Sequence, residues 1–348
     1  MATIRDVAKR AGVSPITVSR VINNFDYVSE ENRRRVHEAI AELGYVPNTV
    51  ARSLRSKRTN TLALVLTDVS NPFFTTVARG VEDTASKAGY TVILCNTDES
   101  EAEQQKYLDV LIQKQVDGVL LVPATSNPEP VRFIQKHATP LVILDRRVAG
   151  AEADIVRGDS EGGAYALVKL LIDLGHRRIA MLSGPRGVST AEDRVAGYRR
   201  ALTEASIRVE TKRITYGAFS RISGYAMAQQ AMTVQPQPTA IFAGHNFMAI
   251  GAVQALRELE MRVPEDIAMV CFDDLPLDFL TVPFFTMAAQ PAYDMGQKAT
   301  ELLLARLADE GPHEPQEIVL PIEIVIRRSS GDPLVNDNVK ASVAAKPS

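Results

Sequence analysis

The stretch GVSPITVSRVIN, residues 12–23, places several hydrogen-bonding side chains on one side of a short predicted helix. Val18, Val21 and Ile22 recur at the i, i+3, i+4 spacing of a stripe that packs on a core. Ser14 stands where an N-cap belongs and is followed by a proline, which is tolerated at the first helical position. The polar side chains off this stripe are therefore predicted to face a binding partner; they are Thr17, Ser19, Arg20 and Asn23.

A second group of candidate side chains follows the short apolar runs in the remainder of the chain. In open parallel sheets, ligands bind outside the carboxyl ends of the strands. The residues predicted at these ends include three aromatic ones and four charged ones, namely Phe73, Phe74, Phe219, Asp145, Arg146, Arg194 and Asp273. If two similar halves face each other, these loops line one cleft. Such a mixture suits a small polar ligand with an apolar face.

Motifs for catalysis or metal binding are missing from the sequence. Asp273 and Asp274 are adjacent, and adjacent side chains on an extended segment point apart, which argues against shared acid–base chemistry. The five histidines have no metal-ligand spacing, and Cys95 and Cys271 are far apart and outside any CxxC. There is no GxSxG, P-loop or GxGxxG signature. We therefore expect no catalytic residue, no metal and no cofactor.

Three short helices are predicted to precede residue 45. Thr3 caps the first, which ends at Gly12, and the short helix that begins at Pro15 follows. Ser29 caps a third helix, which ends at Gly44. Two short helices joined by a tight turn and buttressed by a third form the helix-turn-helix pattern. The second helix of this pattern enters the major groove of DNA, which explains a helix so short with so polar a face.

From residue 62 onward, apolar strands alternate with amphipathic helices, which predicts parallel sheets covered by helices on both faces. The strands are too many for one sheet, and residues 154–159 resemble a crossing between two similar halves. The predicted strands are 62–66, 91–95, 119–122, 141–144, 179–183, 240–243 and 268–272. The predicted helices are 72–88, 101–115, 161–174, 191–204, 246–258 and 294–309.

Charge is distributed unevenly along the chain, whose net charge is −3. Residues 1–60 contain eleven Lys or Arg and six Asp or Glu, a net charge of +5, so the remainder carries −8. A basic head on an acidic body indicates that the head meets a polyanion. No apolar run reaches the 18 residues that a membrane span needs, so no membrane partner is expected. Residues 331–348 lack periodicity and are expected to be a disordered tail without leucine heptads.

Several motifs carry a resemblance that extends over residues 1–330: ATIRDVAKRAGVSPITVSRVIN, NTVARSL, SNPFF, VDGVLL, DLGHRRIAMLSGP, DRVAGYRRAL, RVPEDIAMVCFDD and the Gln290–Pro291 pair. In these motifs the chain resembles the LacI/GalR family of bacterial transcription repressors, and its head and hinge are most similar to the purine-repressor branch. The resemblance implies a homodimer on a pseudo-palindromic DNA operator. It also implies an α/β body of two subdomains joined by three crossovers, similar to periplasmic sugar-binding proteins. The expected domains are a head, 1–60, with a hinge helix, 48–54, and an effector-binding body, 61–330.

The resemblance also suggests which residues contact each partner. The expected DNA contacts are Thr3, Ser14, Pro15, Ile16, Thr17, Ser19, Arg20, Asn23, Asn48, Ala51, Leu54 and Arg55, with Leu54 wedged into a central minor-groove step. The expected effector contacts are Phe73, Phe74, Asp145, Arg157, Thr190, Arg194, Phe219, His245, Asp273 and Gln290. The effector itself is expected to be a small polar molecule, a sugar or a related metabolite.

Two departures from the family pattern affect these expectations. Pro15 and Ile16 stand where relatives often have polar residues, so hydrogen-bond readout there is reduced and Ile16 is placed to pack on thymine methyl groups. His245 stands where a cleft Asn, Gly or Asp is more usual, so it is open whether this histidine is structural or contacts the effector.

The sequence therefore favours a ligand-responsive, cytoplasmic DNA-binding repressor that associates with the nucleoid when bound. One alternative is a solute-binding protein of a transport system, which shares the body but would carry an export signal in place of the basic head. The other is an enzyme built on the α/β body, which the missing motifs disfavour. Whether the effector induces or corepresses remains open at this point.

Overall fold

The computed structural model describes residues 2–22, 27–46, 58–275 and 284–332. Two compact units divide the chain, Met1–Thr59 and Asn60–Ser348. The predicted hinge helix, 48–54, and most of the predicted disordered tail lie outside the described residues.

The described part of the first unit contains three helices, and the capping residues that the sequence predicts stand at their starts and at the ends of the first and the third. They are α1 (Ile4–Ala11), α2 (Pro15–Ile22) and α3 (Glu30–Leu43). The side chains of Thr3 and Ser29 accept hydrogen bonds at the starts of α1 and α3. Gly12 and Gly44 end the same two helices in the left-handed conformation, which glycine adopts without steric cost. These helix predictions are confirmed.

A small apolar core holds the three helices together. It consists of Val7, Ala8 and Ala11 from α1, Val18 and Val21 from α2, and Val36 and Ala39 from α3. Because these side chains are small, the helices approach closely, and the opposite face of α2 is left at the surface. The helix-turn-helix prediction for this unit is confirmed.

The second unit contains two six-stranded sheets, as far as the described residues show. The first sheet comprises β1 (Thr61–Leu66), β2 (Thr91–Asn96), β3 (Gly118–Leu121), β4 (Leu141–Leu144), β5 (Asp154–Gly158) and β11 (Glu317–Leu320), in the order β11-β5-β4-β3-β1-β2. The second comprises β6 (Ile179–Ser183), β7 (Ile214–Tyr216), β8 (Ala240–Ala243), β9 (Ala268–Phe272), β10 (Thr286–Ala289) and β12 (Glu323–Val325), in the order β12-β10-β9-β8-β6-β7. All the pairings are parallel except β10 with β12.

Helices cover both faces of each sheet, which explains why the strands are continuous apolar runs. These helices are α4 (Pro72–Lys87), α5 (Glu101–Gln113), α6 (Glu129–Lys136), α7 (Ser160–Asp173), α8 (Ser189–Glu204), α9 (Arg221–Thr233), α10 (Asn246–Glu258) and α11 (Ala292–Leu307). In β6, for example, Ile179 and Met181 pack on α7 and α8, whereas Ala180 and Leu182 pack on α9 and α10. The predicted α/β class is confirmed.

The chain crosses between the sheets three times, as the family resemblance implies. It passes from β5 to α7, from β10 to α11, and from β11 to β12. We call the sheet of β1 with its helices the first subdomain and the sheet of β6 with its helices the second subdomain. Within this unit, the carboxyl ends of the parallel strands and the loops that follow them line a cleft between the two subdomains.

Several elements were not predicted from the sequence. Residues 154–158, predicted as a crossing, form β5, whose side chains are alternately buried and half-buried rather than uniformly apolar. The strands β7, β10, β11 and β12 have three or four residues each, too few to show a periodic pattern. Helix α6 begins among prolines, and α9 contains a glycine and many small side chains, which weaken the helical pattern in both.

Candidate functional site

Helix α2 presents the candidate DNA-contact surface, and a local cap sets where this helix begins. The hydroxyl of Ser14 accepts a hydrogen bond from the Thr17 backbone N–H at 3.1 Å and lies 2.9 Å from the Thr17 hydroxyl. Because Val18 and Val21 are buried, the opposite side of α2 faces outward. The side chains of Pro15 and Arg20 are exposed, Ile16 is 64% exposed, and Thr17 and Ser19 are half-buried.

An aromatic residue outside α2 supports this surface. The guanidinium carbon of Arg20 lies 5.0 Å from the ring centroid of Tyr27, a cation–π contact. Tyr27 is 67% exposed and is not among the predicted contact residues. A large aromatic residue just before the Ser29 cap, with no apolar pattern around it, is the signal that marks it. The contact with Tyr27 restricts the side chain of Arg20, and arginine is the residue best suited to hydrogen-bond the edge of a guanine.

Thr3 takes part in a capping box at the start of α1. Its hydroxyl and its backbone N–H both donate to the Asp6 carboxylate, at 2.7 and 2.8 Å, and the Asp6 N–H returns a bond to the hydroxyl. These bonds lower the pKa of Asp6. Five other predicted DNA contacts, Asn23, Asn48, Ala51, Leu54 and Arg55, lie outside the described residues.

In the second unit, the cleft between the two subdomains contains a narrow, nearly closed cavity. Nine of the ten predicted effector contacts line this cavity: Phe73, Phe74, Asp145, Thr190, Arg194, Phe219, His245, Asp273 and Gln290. They come from the ends of strands, the starts of helices and one crossing, so residues that are distant in the sequence meet at one place. Asn71 and Arg146 also line the cavity.

The tenth predicted contact is placed elsewhere. Arg157 is not among the residues that line this cavity; its guanidinium pairs with Glu317 on the neighbouring strand β11 and donates to the Gly158 carbonyl. The expectation for Arg157 came from the family resemblance. In a strand, however, successive side chains point to opposite faces of the sheet, and register with β11 determines its partner.

Arg146 was predicted to line the cleft but is not among the expected effector contacts, and Asn71 was not singled out at all, although the sequence carries a signal for it. Asn71 precedes Pro72 at the start of α4, where it is readily interpreted as a helix cap alone. Arg146 follows the predicted contact Asp145 at the same strand end. The guanidinium of Arg146 donates to both carboxylate oxygens of Glu99 at 2.6 Å and to the carbonyls of Pro123 and Ala124 at 2.9 Å. It therefore joins three loops of the first subdomain.

Two aspartates occupy corresponding positions in the two subdomains. Asp145 follows β4 and Asp273 follows β9, strands that hold the same place in their sheets. Both residues have positive φ angles, 63° and 70°, a conformation in which asparagine and aspartate are enriched among residues with a side chain. Their backbone N–H groups donate to Val156 and Ala288, one strand further along. The same sharp bend therefore brings a carboxylate to each side of the cavity.

Burial controls the electrostatics of this cavity. It raises the pKa of Asp145 to about 6, against the opposing effect of Arg146 and Arg194, and it raises the pKa of Asp273. Burial also holds the pKa of His245 well below its usual range, and the nearby guanidiniums of Arg194 and Arg146 lower it further. At neutral pH the imidazole is therefore uncharged.

Arg194 connects the cavity to the second sheet. Its side chain is 3% exposed, donates to the Gly244 carbonyl at 2.8 Å, and lies over the Phe272 ring at 3.7 Å. Its nearest approach to the Asp273 carboxylate is 3.8 Å, a charge pair without a direct hydrogen bond. Gln290 donates to that carboxylate at 2.7 Å. The arginine is thus held in place by backbone and aromatic contacts.

Four polar atoms of the lining are buried without a hydrogen-bond partner in the part of the chain that the structure describes. They are Nε of Arg146, Nε of Arg194, Oδ1 of Asp145 and Oε1 of Gln290. Leaving such groups unpaired costs roughly 1–3 kcal/mol each. Two unpaired donors and two unpaired acceptors therefore belong to residues that line a cavity with aromatic rings, and Arg146 lies 5.5 Å from the Phe219 ring centroid. This arrangement can bind a small molecule that offers both kinds of hydrogen-bonding group.

Among the described residues, no three His, Cys, Asp or Glu side chains are grouped so that they could hold a metal ion. Within the same residues, no helix combines the length and the apolar character that crossing a bilayer requires.

Comparisons with known proteins decide which class of protein this is. The family model "Bacterial regulatory proteins, lacI family" matches residues 3–48, and the model "Periplasmic binding protein-like domain" matches residues 168–330. The HTH-type transcriptional repressor PurR of Vibrio atlanticus (strain LGP32) is 38% identical over 328 residues, which cover 94% of this chain and 98% of the relative. The chain belongs to the lacI family of bacterial regulatory proteins.

A second relative and a solved structure each match over nearly the whole of this chain. The ribose operon repressor of Halalkalibacterium halodurans is 38% identical over 330 residues, 95% of this chain and 97% of the relative. The structure of a lac repressor dimer bound to operator and the anti-inducer ONPF matches with a TM-score of 0.83 and 28% identity, covering 94% of this chain and 99% of that one.

Membership in the lacI family settles the function class. The chain is a DNA-binding transcriptional repressor with an effector-binding domain, and therefore neither a transport protein nor an enzyme. As a DNA-binding repressor it acts in the cytoplasm. Both alternatives that the sequence left open are excluded.

Proposed function

We propose that this repressor binds a pseudo-palindromic operator as a homodimer and that a neutral monosaccharide in the cleft controls its operator affinity. The observation that carries the effector class is the set of four unpaired, buried polar atoms around a cavity whose charges nearly cancel. The head, the cleft and the subunit contact each contribute a part of the evidence.

The exposed face of α2 is the surface proposed to read the operator. Arg20 donates to a base edge, and its contact with Tyr27 reduces the conformational freedom that it loses on binding. Thr17 and Ser19 supply hydroxyl groups, and the exposed Ile16 packs on thymine methyl groups. Ser14 and Pro15 begin the helix beside the DNA backbone, where Thr3 and the helix N-terminus favour phosphate contacts.

The subunit contact is proposed to lie along the β2 side of the first subdomain and near α9. Strand β2 is at the end of its sheet among the described strands, and Leu94 on it is 43% exposed. Val69, Val110 and Ile222 are also large apolar side chains with substantial exposure. Exposed apolar side chains that gather on one side of a protein indicate a protein–protein interface. A second copy of the chain is the proposed partner.

The charges of the cavity disfavour an anionic effector. Arg146 is neutralised by Glu99, and Arg194 faces Asp273, while Asp145 adds another carboxyl group. No excess positive charge therefore remains for a phosphate or a carboxylate. Hydroxyl groups, which both donate and accept, match the unpaired nitrogens of the two arginines and the unpaired oxygens of Asp145 and Gln290.

The aromatic side chains of the cavity favour a sugar ring as the effector. Phe73, Phe74 and Phe219 offer apolar surface for the C–H face of a sugar. Similarity to a ribose operon repressor supports a pentose such as ribose as the effector.

Coupling to DNA is proposed to pass through the chain segment that connects the two units. On operator DNA, residues 48–54 form a helix whose Leu54 enters the minor groove, with Asn48, Ala51 and Arg55 beside it. Movement of the two subdomains around the effector changes the spacing between the two copies of this segment in the dimer. The coupling free energy expected for such a device is ~1–3 kcal/mol. When bound, the repressor is part of the nucleoid.

Calorimetric titration and operator gel shifts test this proposal. The ligands are ribose, a hexose, ribose 5-phosphate and hypoxanthine, each titrated against the full-length protein. We expect binding of a neutral sugar and a change in operator affinity upon its addition. Arg194→Ala and Asp273→Ala are expected to lose that response, whereas Arg157→Ala, outside the cavity, keeps it. Binding of only the phosphate or only the purine, or an unchanged response in both cleft variants, would overturn the assignment.

A further inference from the structure

Three side chains join the two subdomains across the cleft, and they lie at the starts of two helices. Asn71 caps α4 of the first subdomain, and His245 precedes α10 of the second, followed by Asn246. Nδ2 of Asn71 lies 3.0 Å from Nε2 of His245. Nδ2 of Asn246 donates to Oδ1 of Asn71 at 3.0 Å and to the Asp274 carbonyl at 3.0 Å. All three side chains are buried.

The hydrogen bonds of Asn71 decide which way its amide is oriented. Its Oδ1 accepts from the Phe73 backbone N–H at 3.1 Å and from the Asn246 amide. Both of these partners are donors, so the oxygen must face them and the NH₂ group must face His245. Nε2 of the imidazole therefore accepts a hydrogen bond from Asn71 and carries no proton in this arrangement.

The other ring nitrogen also faces a donor, but that donor has a second acceptor. The Phe247 backbone N–H lies 3.2 Å from Nδ1 of His245 and 2.7 Å from Oδ1 of Asn246. When Nδ1 carries the proton of a neutral imidazole, the Phe247 N–H is still satisfied by Asn246. An imidazolium, by contrast, carries a proton on both nitrogens and cannot accept from Asn71 at all.

We propose that His245 is a positioning residue that fastens the two subdomains together across the cleft in its neutral, Nδ1-protonated form, so that acid releases this contact and weakens effector binding. The consequence for the effector rests on the proposed function, whereas the proton position rests on the hydrogen bonds alone. His245 therefore acts through Asn71, and the unpaired polar atoms of its neighbours remain available to the ligand.

The surroundings of the ring determine the sign of the pH effect. Arg146 and Arg194 are the cations of the cavity that disfavour a charged imidazole, and Asp145 and Asp273 are its carboxyl groups. Asp274 adjoins the network through its backbone carbonyl. Proton uptake by His245 requires the subdomains to separate, so closure is complete above the ordinary histidine pKa of ~6.5 and is lost as the pH falls below it. Effector affinity is then expected to fall by up to about tenfold per pH unit.

Nitrogen-15 NMR of the histidine rings in the full-length protein tests the proton position. The chain has five histidines, so the signals are few and can be assigned by substitution. We expect the Nδ1-protonated tautomer for His245 at neutral pH and, once the effector is bound, no titration near ~6.5. His176 lies outside the cleft, with its Nδ1 3.0 Å from the Thr239 hydroxyl, and serves as the reference for a histidine ring that does not join the two subdomains. An Nε2-protonated ring, or a ring that still titrates near ~6.5 in the effector-bound protein, would overturn the proposal.

Ribose affinity at about pH 5.5 and about pH 7.5 tests the consequence. The wild type is expected to lose about tenfold in acid, because one proton must bind over roughly one pH unit below ~6.5. His245→Gln, whose amide oxygen can accept from Asn71 without titrating, is expected to lose less than about threefold. Ser189→Ala removes another cross-cleft bond, from the Arg147 N–H to the Ser189 hydroxyl at 2.8 Å, and is expected to keep the acid loss of the wild type.

A further variant separates the proposal from its main competitor. Asp145 has a pKa of about 6 and also titrates in this range. If Asp145→Asn abolishes the acid loss and His245→Gln retains it, the carboxyl group is responsible and the proposal is wrong. If ribose does not bind at any pH but the Nδ1-protonated ring is found, the effector assignment fails and the contact between the subdomains stands.

Discussion

The exposed face of α2 and the cavity between the subdomains, the two proposed recognition sites, are built by opposite physical means. On α2, the side chain of Arg20 is exposed, and a helix of eight residues with one local cap positions it. In the cavity, Arg194 and Asp273 are nearly inaccessible, and side chains from several loops of two sheets position them. The first site forms from local sequence, whereas the second exists only when both sheets are assembled.

Because the charges are exposed in one region and buried in the other, removing a charge has different effects on binding affinity and on folding stability. An exposed charge on α2 is solvated whether or not DNA is present, so its removal affects binding and hardly affects folding. A buried charge has lost its water and depends on its partners, so its removal affects folding as well. Substitutions in the two regions are therefore expected to divide differently between operator affinity and the free energy of unfolding.

The largest expected change in the free energy of unfolding comes from removing Arg194, because the buried Asp273 carboxylate would be left without its cation. We expect Arg194→Met to lower the free energy of unfolding of the body by ~3–5 kcal/mol. Chemical denaturation at neutral pH measures this. Arg147→Met is the control, because that guanidinium is 39% exposed, pairs with Asp193, and is expected to contribute less than ~1 kcal/mol. Equal losses in the two variants would show that burial does not distinguish them.

Replacing the Asp145 carboxylate is expected to change the free energy of unfolding by a smaller amount and in the opposite direction. Because burial raises its pKa to about 6, from an unfolded value of 3.8, the folded state binds the proton more tightly. Its contribution to stability is therefore complete below pH 3.8 and is lost as the pH rises through about 6.

Asp145→Asn mimics the protonated form, so it is expected to stabilise the body at about pH 7.5 by up to ~3 kcal/mol, on the scale of 1.4 kcal/mol per pKa unit. Little change is expected at about pH 4, where the wild type is also protonated. Denaturation curves at the two pH values provide the measurement. A destabilised variant at neutral pH would mean that the carboxylate is paired more strongly than its surroundings indicate.

On α2, the expected effect appears in DNA affinity alone. Arg20→Ala is expected to weaken operator binding by ~1–3 kcal/mol and binding to random DNA by less. Gel shifts on both DNAs measure the difference, and denaturation should show an unchanged unfolding free energy. Arg34→Ala is the matched control, because that arginine pairs with Glu31 and Glu38 on α3. Equal losses on operator and random DNA would reassign Arg20 to a phosphate contact.

The smallest expected effect is confined to the stability of the first unit. Ser29→Ala removes the side-chain acceptor that caps α3, at a cost of ~1 kcal/mol, whereas Ser29→Asp retains an acceptor. Amide exchange in the full-length protein measures this as a roughly fivefold loss of protection at Val36 and Ala39. Amides of the body core, such as that of Leu171, should be unaffected. A loss that spreads to Leu171 would mean that the two units unfold together.

Much of the cleft could be predicted because strand ends in parallel sheets share one edge. That rule placed Asp145 and Asp273 at the cavity without knowledge of either sheet's strand order. It did not exclude Arg157, because the direction of a strand side chain depends on register, and the strand β11 that provides its partner Glu317 is over 150 residues away. The same rule also did not indicate Tyr27, because its contact with Arg20 belongs to no periodic pattern of the sequence.

The close packing of helices could not be predicted either. A side-chain carbon added at Gly80 of α4 would lie 2.2 Å from the Tyr293 carbonyl, and one added at Gly296 of α11 would lie 2.2 Å from the Val77 carbonyl. Each glycine permits the other helix to approach. Sequence pattern treats a glycine within a helix as unfavourable, since its benefit comes from a partner helix that is distant in the chain.

The sequence by itself determined the helices of the first unit and the alternation of strands and helices in the second. Caps such as Thr3 and Gly12 act over three or four residues, and apolar periodicity acts within one element, so neither depends on the rest of the chain. Only the tertiary structure decided which charges became buried and which way the Asn71 amide was oriented. Desolvation and hydrogen-bond pairing depend on groups such as Asn71 and His245, 174 residues apart, and these meet only when both subdomains are in place.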